Sequence, residues 1–220
     1  MDAQTLISLL WEGLLQTLFM TVVATAIAYV IGLPIGVSLI VTSPNGIKPL
    51  GAYNKVMGFI VNVVRSVPFL ILMIALMPYI RKIIGTGIGT QATTAALVVA
   101  AAPFVARMVE QSLLEVDPGV IEAAQAMGAS NLQIVTKVLL LEARPSLLNG
   151  AAVATITILG YSAMAGSIGG GGLGDIAIRY GLYRFQPTIM WITVIVLVIL
   201  VQIMQEIGIK IAAKMDNRIN

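Results

Sequence analysis

Long stretches of this sequence carry no charged side chain, and this feature limits the folds open to the chain more than any other. The first such run extends from Leu14 to Val41. A helix of about 20 apolar residues crosses the hydrocarbon core of a bilayer, so this run is long enough to span a membrane. Hydrophobic residues make up 58% of the chain and charged residues 10%, whereas soluble domains are about 45–50% apolar and about 25% charged. The sequence therefore predicts an all-α, polytopic bundle of membrane helices.

The apolar runs predict five spans in one transmembrane domain, residues 1–220, at residues 14–41, 55–79, 91–109, 147–168 and 188–205. The N-terminus lacks the basic region of a cleaved signal peptide, so we expect the first run to be a retained span. The polar stretch between the third and fourth spans, residues 110–145, is long enough to fold as a structured loop.

Basic residues predict the orientation of the chain. With the 110–145 loop in the cytoplasm, eight basic residues lie on its side and four on the other, which favours an outside N-terminus and a cytoplasmic C-terminus. The two groups are Lys48, Lys55, Arg107, Lys137, Arg144, Lys210, Lys214 and Arg218 against Arg81, Lys82, Arg179 and Arg184. The net charge of +3 needs no nucleic acid to explain it.

The polar loop contains signals for two short helices. Asp117-Pro118 is typical of a helix start, with Asp as the cap and Pro in the first turn. Residues 119–127 follow as a helix rich in small side chains, and Gly128 ends it. Ser130 and Gln133 predict a capping box that opens a second helix, for which Leu132, Val135, Val138 and Leu139 predict an apolar face. A helix as short as the first needs packing on its own bundle or on a partner.

These residues resemble a known motif. Glu122-Ala123-Ala124, then Gly128, Val138 and Leu140 are similar to the EAA motif of permease subunits of ATP-binding-cassette importers. The motif ordinarily ends in proline, and Leu141 stands at that position here; we expect a different end to the second helix and an intact docking surface. Further segments resemble the methionine importer permeases in particular: Arg65–Phe69, Ala102–Glu110, Gly160–Gly166 and Gly171–Gly174.

The resemblance implies a fold, partners and site residues. It implies a permease of the bacterial inner membrane that works as a homodimer with two ATPase subunits and an external substrate-binding lipoprotein. It implies amino-acid uptake, most specifically of methionine. The implied coupling surface, which would dock on an ATPase, consists of Glu122, Ala123, Ala124, Ala126 and Gly128. Tyr161, Ser162 and Met164 are candidates for the gate or pathway.

Three positions keep alternative interpretations. Arg65, followed by Pro68, lies in the second predicted span, where arginine is costly; it either snorkels or pairs structurally, or it takes part in transport. Met164 either fills the bundle core, as adaptable methionine side chains do, or forms a gate where two copies meet. Glu122 is either a solvated helix charge or the partner of an ATPase arginine.

Two other classes of function, an enzyme and an ion-coupled transporter, compete with this hypothesis. The chain has no His and no Cys, and we find no nucleophile–base pair, no metal constellation and no P-loop. ATP would therefore be hydrolysed by a partner, and no cofactor or metal is expected on this chain. An ion-coupled amino-acid transporter is the alternative, but Glu12, Glu110 and Glu206 all lie near span ends. Coupling to sodium through backbone carbonyls stays open.

A glycine pattern invites a different reading. Gly169, Gly171 and Gly174 match the spacing of a dinucleotide-binding loop, but no strand precedes them. We expect a flexible turn at this position.

Overall fold

The structure, a computed structural model, describes residues 2–214, apart from the side chain of Ala3. Arg218, which entered the charge comparison, lies outside the described residues. The described chain is helical throughout its regular segments and contains no strand, so the predicted all-α class is confirmed. The longer helices are α1 (Ala3–Val41), α2 (Gly51–Ser66), α3 (Phe69–Ile84), α4 (Thr90–Leu114), α5 (Pro118–Ala126), α8 (Arg144–Ala165) and α10 (Pro187–Lys214).

Short segments connect these helices in two places. Between α5 and α8 lie α6 (Asn131–Ile134), a π-helical segment (Val135–Leu139) and α7 (Leu140–Glu142). Between α8 and α10 lie a 3₁₀ turn (Gly166–Ile168), α9 (Gly172–Ile176) and a second π-helical segment (Ala177–Leu182).

Among the described residues, four helical stretches are long and apolar enough to cross a membrane, or five if α2 and α3 count as one span. Several helices are longer than the expected spans. α1 begins at Ala3, and within it Glu12 accepts a hydrogen bond from Gln16 Nε2 at 3.0 Å. α10 continues to Lys214, and the 3.3 Å ion pair between Glu206 and Lys210 follows its surface.

The expected second span, residues 55–79, is two helices. α2 ends at Ser66 and α3 begins at Phe69, so Val67 and Pro68 separate them. Proline disfavours helical backbone in the residue before it and has no N–H to donate. Pro68 itself takes φ −55° and ψ 133°. Pro68 therefore acts as a helix break, and the two helices meet at a bend of 104°.

The contacts divide the described chain into two compact units. Unit 1 comprises residues 2–28, 67–101 and 155–205, and unit 2 comprises residues 29–66, 102–154 and 206–214. The core of unit 1 contains Leu159, Leu173, Ile176, Ile189 and Leu200. In unit 2, α1 and α4 approach so closely that a Cβ added to Gly32 would lie 2.8 Å from the carbonyl oxygen of Ala102. Small residues on α1 therefore let the two backbones meet.

Candidate functional site

The first short helix of the polar loop, α5, forms where the local sequence predicts it. The backbone N–H of Gly119 donates to Asp117 Oδ1 at 2.7 Å, and Pro118 occupies the first turn. The helix ends at Ala126, and Gly128 takes φ +78°, a left-handed conformation that glycine adopts without steric cost. The cap, the first-turn proline and the terminal glycine are confirmed.

The second short helix begins as expected and then changes its hydrogen-bonding pattern. Both halves of the capping box are present: Ser130 N donates to Gln133 Oε1 at 2.8 Å, and Gln133 N donates to Ser130 Oγ at 3.4 Å. The π-helical segment then adds an extra residue to the turn. Ile134, just before this segment, and Leu139, at its end, are fully buried.

The prediction that Leu132 belongs to the apolar face of this helix is wrong. Its exposed fraction is 73%, and Ile134 takes the inward position instead. Leu141, where the motif usually has proline, lies in α7 and is exposed. Only Ala143 separates α7 from α8.

The five residues of the coupling surface do not share one environment. Glu122, Ala123, Ala126 and Gly128 are exposed. Ala124 is only 4% exposed, so it packs against its own chain. Met127, which adjoins the set, is 81% exposed. The helix therefore offers small side chains and one carboxylate to a partner, and Ala124 supports it from the inner side.

A cavity of about 390 Å³ adjoins α5 within unit 2. Glu122, Ile121 and Gln125 line it from α5, and Asn45 and Gly46 line it from the turn after α1. The carboxylate of Glu122 thus stands at the edge of a concave surface, where it can accept hydrogen bonds from a cationic side chain.

A partly buried ion pair on α4 is hydrogen-bonded to α2, and the sequence analysis did not single it out. Arg107 pairs with Glu110 and donates to Asn62 Oδ1 at 2.8 Å and to the Gly58 carbonyl at 3.3 Å. The Arg107 and Glu110 side chains are 21% and 17% exposed. Their three-residue spacing on one helix was the available signal.

Arg65 lies apart from that network. It is exposed in the last turn of α2, and within residues 2–214 no carboxylate pairs with it. The negative end of the helix dipole stabilises a cation at this position. Pro68 acts on the backbone, by ending α2.

The three candidate gate residues in unit 1 have different surroundings. The Tyr161 ring stacks on the Phe69 ring with centroids 4.4 Å apart and an interplanar angle of 6°. Ser162 is 1% exposed and donates to the Leu159 carbonyl at 2.7 Å. Met164 is 49% exposed. Of the three, Met164 alone presents much of its side chain outside its own chain.

The glycine-rich segment of unit 1 is a packed structure, not the expected flexible turn. Gly172 N donates to Gln16 Oε1 at 2.8 Å, and Leu173 N donates to Thr17 Oγ1 at 2.9 Å. Gly171 and Gly172 have φ of +79° and +78°, and α9 begins directly at Gly172. The side chains of α1 occupy the place of a ligand, so the spacing of these glycines does not indicate a nucleotide site. In the described part of the chain, no cluster of three or more His, Cys, Asp or Glu could hold a metal ion.

Comparison with known proteins places this geometry in a family. Residues 32–208 match the family described as binding-protein-dependent transport system inner membrane component. The probable D-methionine transport system permease protein MetI of Vibrio cholerae is 50% identical over 203 residues, which cover 92% of this chain and 90% of that protein. The D-methionine transport system permease protein MetI of Escherichia coli K12 is 51% identical over 158 residues, 72% of this chain and 73% of that protein.

A solved structure has the same fold. It shows inward-facing conformations of the MetNI methionine ABC transporter, and its matching chain is 46% identical with a TM-score of 0.96. The match covers 99% of this chain and 100% of that one.

Proposed function

The chain belongs to the family of inner membrane components of binding-protein-dependent transport systems, and from this membership we propose that it is the permease of a methionine importer, D-methionine included. It is a transport subunit and not an enzyme. The assignment of the substrate rests on the relatives from Vibrio cholerae and Escherichia coli, which are named as D-methionine transport permeases.

The exposed helix α5 is the observation that carries the proposal. It holds Glu122, Ala123 and Ala126 at its surface, and the exposed Gly128 follows its end. Side-chain caps fix the start of α5 and the start of the next helix. A partner backbone can approach small side chains closely, and Glu122 adds one charge for orientation. We assign α5 as the element that docks on an ATPase subunit, with Ala124 as its internal support.

The assembly would contain two copies of this chain, two ATPase subunits and an external substrate-binding lipoprotein. The similarity to a chain of the MetNI methionine ABC transporter supports the ATPase partner, and the family description supports the binding protein. Met164 is exposed and therefore suits a gate between two copies. Tyr161 would line the pathway through its pairing with Phe69, whereas Ser162, Arg65 and Pro68 would act structurally.

Transport would use energy delivered at α5. ATP binding closes the ATPase pair and favours the outward-open state, because the closed pair holds α5 differently from the open pair. The binding protein then delivers its substrate into the opened pathway. The basic residues favour a cytoplasmic C-terminus and an outside N-terminus, which puts α5 on the ATP side. ATP would bind only to the partner, and this chain would carry no cofactor.

Reconstituted uptake tests the proposal. The chain, its ATPase and its binding protein are placed in liposomes, and uptake of labelled D- and L-methionine is measured with ATP inside. We expect uptake to require ATP and the binding protein, and to persist after ionophores collapse the proton and sodium gradients. Uptake driven by a gradient without ATP would instead support the ion-coupled alternative, in whose favour we find no observation.

A further inference from the structure

The segment that leads into α10 exposes large apolar side chains. Leu182, Tyr183 and Phe185 are 53%, 67% and 87% exposed. Phe185 also has φ +52° and is the one non-glycine residue with positive φ in the described chain. Aromatic L-residues rarely take this conformation, because Cβ crowds the backbone. The fold therefore holds an aromatic ring outward at a conformational cost.

Hydrogen bonds fix this segment in place. Tyr183 N donates to the Ile178 carbonyl at 2.9 Å, and Gln186 N donates to the Tyr180 carbonyl at 3.2 Å. The Arg184 guanidinium lies 4.6 Å from the centroid of the Tyr180 ring. These backbone hydrogen bonds on both sides of Phe185 therefore hold its side chain in the outward position.

The sequence locates the segment at one edge of a span. No charged residue lies between Arg184 and Glu206, and the helix in this interval rises about 30 Å at about 1.5 Å per residue. This length matches the hydrocarbon core, which is about 30 Å thick. Arg184 therefore stands at the boundary between hydrocarbon and headgroups, where aromatic side chains are enriched.

The charges favour lipid as the partner. From Ile176 to Gln205 the chain has two arginines and no acid. Arg179 pairs with Asp175 at 2.7 Å, whereas no carboxylate among the described residues pairs with Arg184. Trp191 and Ile195 continue the exposed apolar surface along α10, at 67% and 56% exposure.

We infer that residues 182–186 form a membrane anchor that inserts into the headgroup region of the bilayer beside α10. Leu182 and Phe185 enter the acyl boundary, Tyr183 lies among the headgroups, and Arg184 binds a lipid phosphate. Burial of the phenyl ring in lipid offsets the cost of its backbone conformation.

Spin labels test this inference directly, because the native chain contains no Cys and an introduced thiol, labelled before the partner subunits are added, is the one site of labelling on this chain. Phe185→Cys is labelled in the assembled transporter, in bilayers of phosphatidylethanolamine and phosphatidylglycerol. Collisions with oxygen, which concentrates in lipid, are compared with collisions with a water-soluble nickel chelate. Thr86→Cys is the matched control, since Thr86 is exposed in the polar loop that leads into α4.

We expect the label at 185 to favour oxygen several-fold more than the label at 86. Tyr183→Cys provides a second reporter if the Phe185 variant does not assemble, and it should show an intermediate preference. Arg184→Gln should lower the oxygen preference at 183 in the anionic lipid. Labels at 183 and 185 that favour the nickel chelate as strongly as the control would overturn the anchor. Protection from the chelate that appears only after the binding protein is added would assign the segment to protein docking and also overturn it.

Discussion

This chain has two connectors between long helices, residues 115–143 in unit 2 and residues 166–186 in unit 1. Different interactions hold them in place. Each joins two long helices through a short helix and a π-helical segment. The first is held by side-chain caps and leaves α5 exposed. The second is held by glycines whose backbones approach each other closely. Substitutions in the first should therefore change communication with a partner, and substitutions in the second should change folding.

The largest effect is expected at Gly166. A Cβ there would collide with the backbone of Gly174 and Asp175, and backbone cannot swing aside as a side chain can. We expect Gly166→Ala to destabilise the fold by about 3 kcal/mol, seen as lower yield of monodisperse protein and a lower Tm. Gly160→Ala is the matched control, since nothing lies within 4 Å of a Cβ at that position. Equal Tm values for the two variants would contradict the conclusion that close glycine contacts hold the second connector.

Glu122 should give the next largest effect, and on activity alone. Reversing one member of a close interfacial charge pair costs about 2 kcal/mol or more, so Glu122→Lys should reduce ATP-driven uptake at least about tenfold with the Tm unchanged. Glu115→Lys makes the same charge change on an exposed neighbouring residue outside α5 and should transport nearly normally. Full transport by the Glu122 variant would contradict docking through this carboxylate.

Gly128 sharpens the comparison, because it belongs to the exposed connector but depends on backbone conformation. Nothing crowds a Cβ there, yet its φ is +78°. Gly128→Ala should cost about 1–2 kcal/mol through the left-handed conformation alone, measured as a lower Tm of the purified chain. Gly128→Asn should recover much of this loss, since Asn tolerates that region. If both variants match the native Tm, the turn does not constrain the connector.

The smallest effect is expected from the cap of α5. Asp117→Ala removes the acceptor for Gly119 N and should cost about 1 kcal/mol locally. Hydrogen exchange of the α5 amides should then speed up about fivefold, with the exchange of α8 unchanged. Asp117→Asn keeps a capping oxygen and should leave exchange near the native rate. Uniform acceleration over the whole chain would show that the connector does not open independently.

The features that sequence predicted correctly are local ones. The caps at Asp117 and Ser130 and the glycine at 128 each depend on residues within a few positions of one another, so their chemistry is readable from order alone. The inward position of Ala124 and the exposure of Leu132 depend on which helix face meets the rest of unit 2, and local sequence does not determine that face.

The break at Pro68 could have been predicted, because proline restricts the backbone of the residue before it. The apolar residues on both sides of Pro68 instead indicated a single span. The hydrogen bond between Arg107 and Asn62 joins residues 45 positions apart, and no sequence pattern predicts it. The stack of Phe69 on Tyr161 has the same character. Such contacts follow from the tertiary fold and were therefore missed.

The single residue between α7 and α8 has a mechanical consequence. Ala143 is buried, and its N–H donates to the Leu139 carbonyl at 3.0 Å, so the joint has almost no slack. A tether of several free residues would absorb a displacement of an ångström or two. If α5 docks on an ATPase as we propose, this short joint would transmit a displacement of the loop to the start of α8 with little loss of amplitude.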